Sequence, residues 1–205
     1  MTTFMARVIA VVAALVLLAA CGGQGEGAGD DQGGSKEPEA PLITGDPAGY
    51  NAADIAFAYD MVPHHAQAID LSRTALERST NPELTALAQQ IVATQQPEIN
   101  ILNVFLVQWN ENPENRSGPD DGGPERVLPG TVDEATIAKL ESLSGPEFDK
   151  LWLQSMIGQH QGAVVLANTE IADGANVDAI AIARNIVAAQ ESQIAQMTQM
   201  LEGLP

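Results

Sequence analysis

Two stretches decide the fold: residues 54–71, DIAFAYDMVPHHAQAIDL, and residues 149–166, DKLWLQSMIGQHQGAVVL. They open the two copies of an internal repeat. Sliding the chain by 95 residues lays Asp54–Leu106 on Asp149–Leu201 without a gap, and 15 of the 53 pairs are identical. Ala-rich helices align by chance to some degree. A shared Met-x-x-x-His (Met61/His65, Met156/His160) and a shared Gln (Gln95/Gln190) at one fixed offset do not. Each copy reads as two helices. The first runs from about Ala52 to Arg78, and Thr80-Asn81-Pro82-Glu83 supplies a capping-box pattern with Pro in the first turn of a second, ending near Trp109. Thr131-Val132-Asp133-Glu134 caps a short extra helix, and Ser144-Gly145-Pro146-Glu147 caps a long one ending near Ala172. After a turn at 174–178, a last helix ends near Glu202. The prediction is an all-α chain: a four-helix bundle of two repeated helical hairpins with a long crossover. Repeat one spans 54–106, a loop insert 110–143 and repeat two 149–201, inside a bundle domain at 50–205.

Outward from the repeat, the N-terminal part is of another kind. Val8 to Ala20 is an unbroken apolar run of 13 residues behind Arg7, too short to cross a bilayer but suited to a secretory signal. It ends in Leu18-Ala19-Ala20-Cys21, which looks like a bacterial lipobox, and Cys21 is the chain's one cysteine. The expectation is a signal peptide at 1–20, lipid on Cys21 and an exported protein held on the outer side of the cytoplasmic membrane. Residues 21–49, rich in Gly, Asp, Glu and Pro, then form a disordered, flexible tether with an average reach of about 30 Å.

Charge and cysteine content close off several functions. The chain has 9 Lys+Arg against 27 Asp+Glu, and without Arg7 the balance of 8 to 27 leaves −19. Nucleic acid is excluded as a partner, because phosphates need cationic side chains. Docking of the protein surface on anionic lipid is excluded likewise. A single Cys excludes an intramolecular disulfide and any cysteine-cluster metal site.

The chemistry lies in the seams. The second helix of each copy carries a 4, 3, 4, 3 pattern: Leu84, Ala88, Ile91, Gln95, Glu98, Leu102 and Ala179, Ala183, Ile186, Gln190, Gln193, Met197. That is core spacing. Both seams put two polar residues at the same central level, where burial costs free energy unless a partner is found. The partners are on the first helices. Phe57, Met61, His64, His65 and Ala68 share an arc of about 100°, as do Trp152, Met156, His160 and Ala163. All three histidines of the chain fall there. Pro63 and Gly158 occupy equivalent places and weaken each helix just before its His. The weakening serves either to aim an imidazole or free a carbonyl, or to accommodate packing. Asp54 and Asp149 read as helix-start residues.

A ferritin-type di-iron site is disfavoured, since the sequence has no Glu-x-x-His and only Glu98 as a central carboxylate. No His-Glu-x-x-His, Gly-x-Ser-x-Gly or phosphate-binding loop occurs. No catalytic residue is nominated, and a binding role is favoured over an enzymatic one. Imidazole suits copper and zinc, and thioether selects copper(I). The sharp expectation is a copper ion held by Met61, Met156, His65, His160 and His64, with Glu98, Gln95, Gln190 and Gln193 orienting the rings. The alternative is a structural or interaction lipoprotein in which the same His, Gln and Glu groups form a buried polar network fixing the register of the bundle.

The line from Asp54 to Ile69, with Met61-Val62-Pro63-His64-His65, resembles the signature of the domain of unknown function family 305. Asp149 to Ala163, with Met156-Ile157-Gly158-Gln159-His160-Gln161-Gly162-Ala163, is similar to its second copy, and Gln95 to Ile99 to its following helix. The resemblance covers about residues 50–204. It implies a ferritin-like helical bundle, exported or membrane-attached, with copper binding or copper tolerance in some members. Two departures stand out. Gln159 replaces the first His of the pair usual in the second copy, and Gln193 stands where the matching helix often carries Glu. The site is thereby less symmetric and less charged than the family pattern.

Overall fold

A computed structural model describes residues 49–111 and 127–204. The leader at 1–20, the lipidation candidate Cys21, the tether up to residue 48 and the middle of the insert lie outside the described residues. Five helices follow in order: α1 (Ala52–Arg78), α2 (Pro82–Gln108), α3 (Glu134–Ser142), α4 (Gly145–Asp173) and α5 (Val177–Glu202).

Local chemistry sets the helix starts. Asn51 caps α1: its side-chain oxygen accepts from Ala53 and Asp54 N–H, while the Asp54 carboxylate accepts from Asn51 N–H at 2.6 Å. The caps of α2 and α5 are repeat-related asparagines, Asn81 and Asn176, each accepting from the two N–H groups just inside its helix. For α2 this moves the cap one residue on from Thr80. Pro82 occupies the first helical position, and only the preceding residue can reach the free N–H groups of Glu83 and Leu84. Asp133, not Thr131, caps α3 for the same reason of reach. Ser144 precedes α4 without a side-chain cap bond. Asn81→Ala is expected to cost about 1 kcal/mol, read as a lower denaturation midpoint at unchanged slope.

The two hairpins, α1/α2 and α4/α5, meet chiefly through α1 and α4, and α3 rests on that pair. These two helices are antiparallel. The Trp152 indole N–H donates to the Leu71 carbonyl at 2.9 Å, and in the same register Gln159 faces His64. Both α1 and α2 run unbroken through an internal proline, Pro63 and Pro97.

The core is split in two by a polar layer. One apolar cluster joins Leu71, Leu84, Ile91, Phe148, Trp152, Met156 and Met197. The other joins Phe57, Met61, Leu102, Leu106, Trp109, Ala183 and Ile186. Between them lie His64, His65, Gln95, Gln159, His160, Gln190 and Gln193, all buried. The arrangement follows from the seams, in which Gln95 and Glu98, and likewise Gln190 and Gln193, interrupt otherwise apolar heptads at mid-helix.

Candidate metal centre

Every residue nominated for the metal site and its support is in or beside this layer. Met61, His64, His65, Met156 and His160 have no exposed surface, and Gln95, Gln190 and Gln193 almost none. Glu98 is the one partly exposed member, its side chain 19% accessible. In the α1–α4 register, His65 and His160 sit within about 3 Å of the same level along the bundle axis, and the two methionines flank that level about 9 Å apart.

The repeat shows in the hydrogen bonds. His65 Nε2 meets Glu98 Oε2 at 2.9 Å, and the repeat-related His160 Nε2 meets Gln193 Oε1 at 3.0 Å. The related pair His64 and Gln159 contact each other across the hairpin interface. Gln159 Nε2 lies 2.9 Å from His64 Nδ1 and donates to the His64 carbonyl at 2.8 Å, while Gln159 Oε1 lies 3.1 Å from His160 Nδ1. The remaining nitrogen of His64, Nε2, meets the Pro129 carbonyl at 3.0 Å. Both ring nitrogens of His64 are thus taken by protein groups.

Pro129 belongs to a strap inside the loop insert at 110–143. Leu128 to Thr131 forms a turn, closed by Thr131 N–H donating to Leu128 C=O, with Gly130 at φ +72°. Gln67 holds the next residue from both sides, donating to Val132 C=O at 2.9 Å and accepting from Val132 N–H at 2.8 Å. The strap lies on α4 where side chains are missing: a Cβ on Gly162 would be 1.8 Å from the Pro129 oxygen, and one on Gly130 2.2 Å from the Gly158 oxygen. The close approach depends on Gly162, whereas a Cβ on Gly158 would meet nothing within 4 Å.

Some buried polar atoms have no partner: His65 Nδ1, both amide atoms of Gln95, and Gln190 Oε1. Unpaired atoms of this kind normally find a partner or a role. They belong to the layer flanked by two buried thioethers, so the donor set fits a soft ion bound by imidazole and sulfur. Among the described residues, no three His, Cys, Asp or Glu side chains come together as a metal-binding group. The sulfur atoms that flank the layer are those of Met61 and Met156. Burial away from water lowers the pKa of His64 and of His160 to about 4, so both rings are neutral at physiological pH.

A second buried polar cluster lies at the far end of α1. Asp54 accepts from Asn51, Ala175 and Asn176 N–H, tying the start of α1 to the α4–α5 turn. Burial opposes its charge, but these bonds and its link to Glu170 hold its pKa below the usual value. Glu170, 1% exposed, is pushed up to about 8 by burial and by the Asp54 carboxylate beside it. The helix-start reading of Asp54 gains this tertiary tie. Asp149 is buried, with Oδ1 unpaired.

Residues 54–201 match the family described as a domain of unknown function, DUF305. A DUF305 protein of Streptomyces coelicolor, described as secreted, is 31% identical with TM-score 0.65, covering 73% of this chain and 92% of its own. A DUF305 fragment from Deinococcus radiodurans is 29% identical with TM-score 0.66, covering 77% and 99%. CopM in its Cu(I)-bound form is 28% identical with TM-score 0.58, covering 73% and 95%, and CopM is also known in Cu(II)- and silver-bound forms. The uncharacterized protein L153 of Acanthamoeba polyphaga mimivirus is 38% identical over 53 residues, which span 35% of its length.

Proposed function

This chain belongs to the DUF305 family, and on that premise we propose that it is an exported, lipid-anchored protein of the cell envelope that binds copper at the polar layer of its bundle, for sequestration or handover. The observation that carries the reading is the buried, unpartnered Nδ1 of His65 in a layer flanked by the thioethers of Met61 and Met156. His65, His160, Met61 and Met156 are the proposed ligands. Thioether favours copper(I) over zinc, and a single carboxylate in the layer disfavours harder ions. Glu98 holds His65 by the nitrogen opposite Nδ1, the arrangement expected of a metal-bound imidazole. Gln95, Gln190 and Gln193 line the same level. His64, bonded at both nitrogens, braces the layer. The copper- and silver-bound forms of CopM support the choice of metal. Among the described residues no helix is long and apolar enough to cross a membrane, and attachment is proposed through Cys21.

A second reading, a purely structural polar network, draws on the continuous bonding of His64, Gln159 and His160. A copper titration at roughly 0.15 M ionic strength, where exposed carboxylates are screened, separates the two. About one copper per chain is expected to survive dialysis in the parent, and none in His65→Ala/His160→Ala. Equal, weak, salt-sensitive uptake by both proteins would refute the copper site in favour of the network.

A further inference from the structure

The two central histidines are repeat mates, but their surroundings are not alike. Around His160 the amide of Gln159 can be oriented without ambiguity. Its Nε2 lies 2.8 Å from the backbone carbonyl of His64, which only accepts, so that atom is the nitrogen and the other is the oxygen. The second amide hydrogen points at His64 Nδ1, 2.9 Å away, which therefore carries a lone pair. His64 then has its hydrogen on Nε2, and the Pro129 carbonyl, 3.0 Å from that nitrogen, accepts it. Two backbone carbonyls, one at each end, give the same answer. The Gln159 oxygen in turn needs a donor, and the atom 3.1 Å from it is His160 Nδ1.

Around His65 the logic runs the other way. Glu98 is a carboxylate and only accepts, so His65 donates from Nε2, leaving Nδ1 as the lone pair, buried and without a partner. We infer that Gln159 is a positioning residue that fixes His160 as the Nδ1–H tautomer while Glu98 fixes His65 as the Nε2–H tautomer, so that the two repeat-related rings offer unlike nitrogens, Nε2 of His160 and Nδ1 of His65, to a ligand. That the ligand is copper rests on the function proposed above; the tautomers do not.

A consequence falls on Gln193. With hydrogen on Nδ1, the Nε2 of a neutral His160 cannot pair with the Gln193 oxygen 3.0 Å away. A half-turn of that amide presents its NH₂ group instead. A metal ion held at Nε2 would displace this one amide and would leave the chain of bonds from Pro129 to His160 intact. The departure from a second His pair thus has a use: a Gln at 159 donates twice and accepts once, which a neutral imidazole cannot do.

The test is long-range proton–nitrogen NMR of ¹⁵N-histidine-labelled, metal-free protein near neutral pH, with a copper(I) titration alongside. Expected in the parent are Nε2–H signatures for His64 and His65 and an Nδ1–H signature for His160. Gln159→Leu leaves only the Met156 carbonyl to hold a hydrogen on His160 Nδ1; it is expected to raise the share of Nε2–H, bonded to Gln193, and to weaken copper(I) binding by about tenfold or more. Gln193→Leu is expected to leave His160 on Nδ1. A parent His160 protonated on Nε2, or a Gln159→Leu spectrum unchanged at His160, overturns the inference. If Gln159→Leu does not fold, the parent spectrum decides. Expected tautomers without retained copper would uphold this inference and sink the copper reading, whereas retained copper with His160 on Nε2–H would do the reverse.

Discussion

Gly162→Ala is expected to destabilise the protein by about 2–4 kcal/mol, whereas Gly158→Ala, one turn earlier on the same helix, is expected to be neutral or stabilising by up to about 1 kcal/mol. In an isolated helix both changes would help, since Ala is the better helix former. The strap reverses the sign at one of them. A methyl on Gly162 would stand 1.8 Å from the Pro129 oxygen and 2.5 Å from its carbon, and these are backbone atoms that cannot rotate away. The strap must lift. Lifting it takes the acceptor from a buried imidazole N–H of His64, and strains the paired bonds between Gln67 and Val132. An orphaned buried donor alone costs about 1–3 kcal/mol. At Gly158 a Cβ meets nothing within 4 Å, so only the propensity gain remains. Urea denaturation of both variants, with amide exchange at Thr131 and Val132, checks the contrast. A Gly162→Ala protein as stable as the parent, with the strap amides still protected, would show that the strap does not lean on α4.

Much of this was legible in the sequence, for physical reasons. The helix starts were, because local residues mark them: Asn81-Pro82 for α2, Asp133-Glu134 for α3 and Pro146 in the first turn of α4. The seams were, because heptad spacing reports burial directly; all six seam residues of α5 and five of the six in α2 are buried, Glu98 being the sixth. The strap was not. Pro129-Gly130 announces a turn, but nothing local says which helix it lands on, and Gly162 in an Ala-rich helix looks like any small residue. Gln159 was legible as a departure from a His pair. Its bridging role depends on contacts 95 residues apart, visible only once α1 and α4 are in register. Glu170 carried a usable signal: Ala163, Ala167 and Glu170 continue the α4 seam at 4 and 3, which puts a carboxyl at a core position.

That carboxyl and the two buried imidazoles give the metal-free protein a peaked pH–stability curve. Burial holds His64 and His160 at about 4, against 6.5 for an ordinary histidine. The native state therefore binds fewer protons than the unfolded chain between those values. The stability linked to these rings is complete above pH 6.5 and is lost as pH falls toward 4. Glu170 has the opposite sign. Its native pKa of about 8 lies above the ordinary 4.5, so the native state keeps a proton that the unfolded chain has released. Its share is complete below pH 4.5 and is lost as pH rises through 8. Asp54, held below its ordinary 3.8, titrates outside both windows. Two imidazoles outweigh one carboxyl on the acid side, and the carboxyl acts alone on the other. The maximum is expected near pH 6.5, with losses on the order of 2–3 kcal/mol on each side, by pH 4.5 and by pH 8. Glu170→Gln keeps the shape and leaves an amide N–H to offer Asp54, but has no proton to release. It is expected to flatten the alkaline limb while the acid limb, which belongs to the histidines, remains. Urea midpoints across this range, for parent and variant freed of metal, decide it. A parent curve level from pH 6.5 to 8, or an alkaline loss that survives in Glu170→Gln, would mean that Glu170 does not keep its proton beside Asp54.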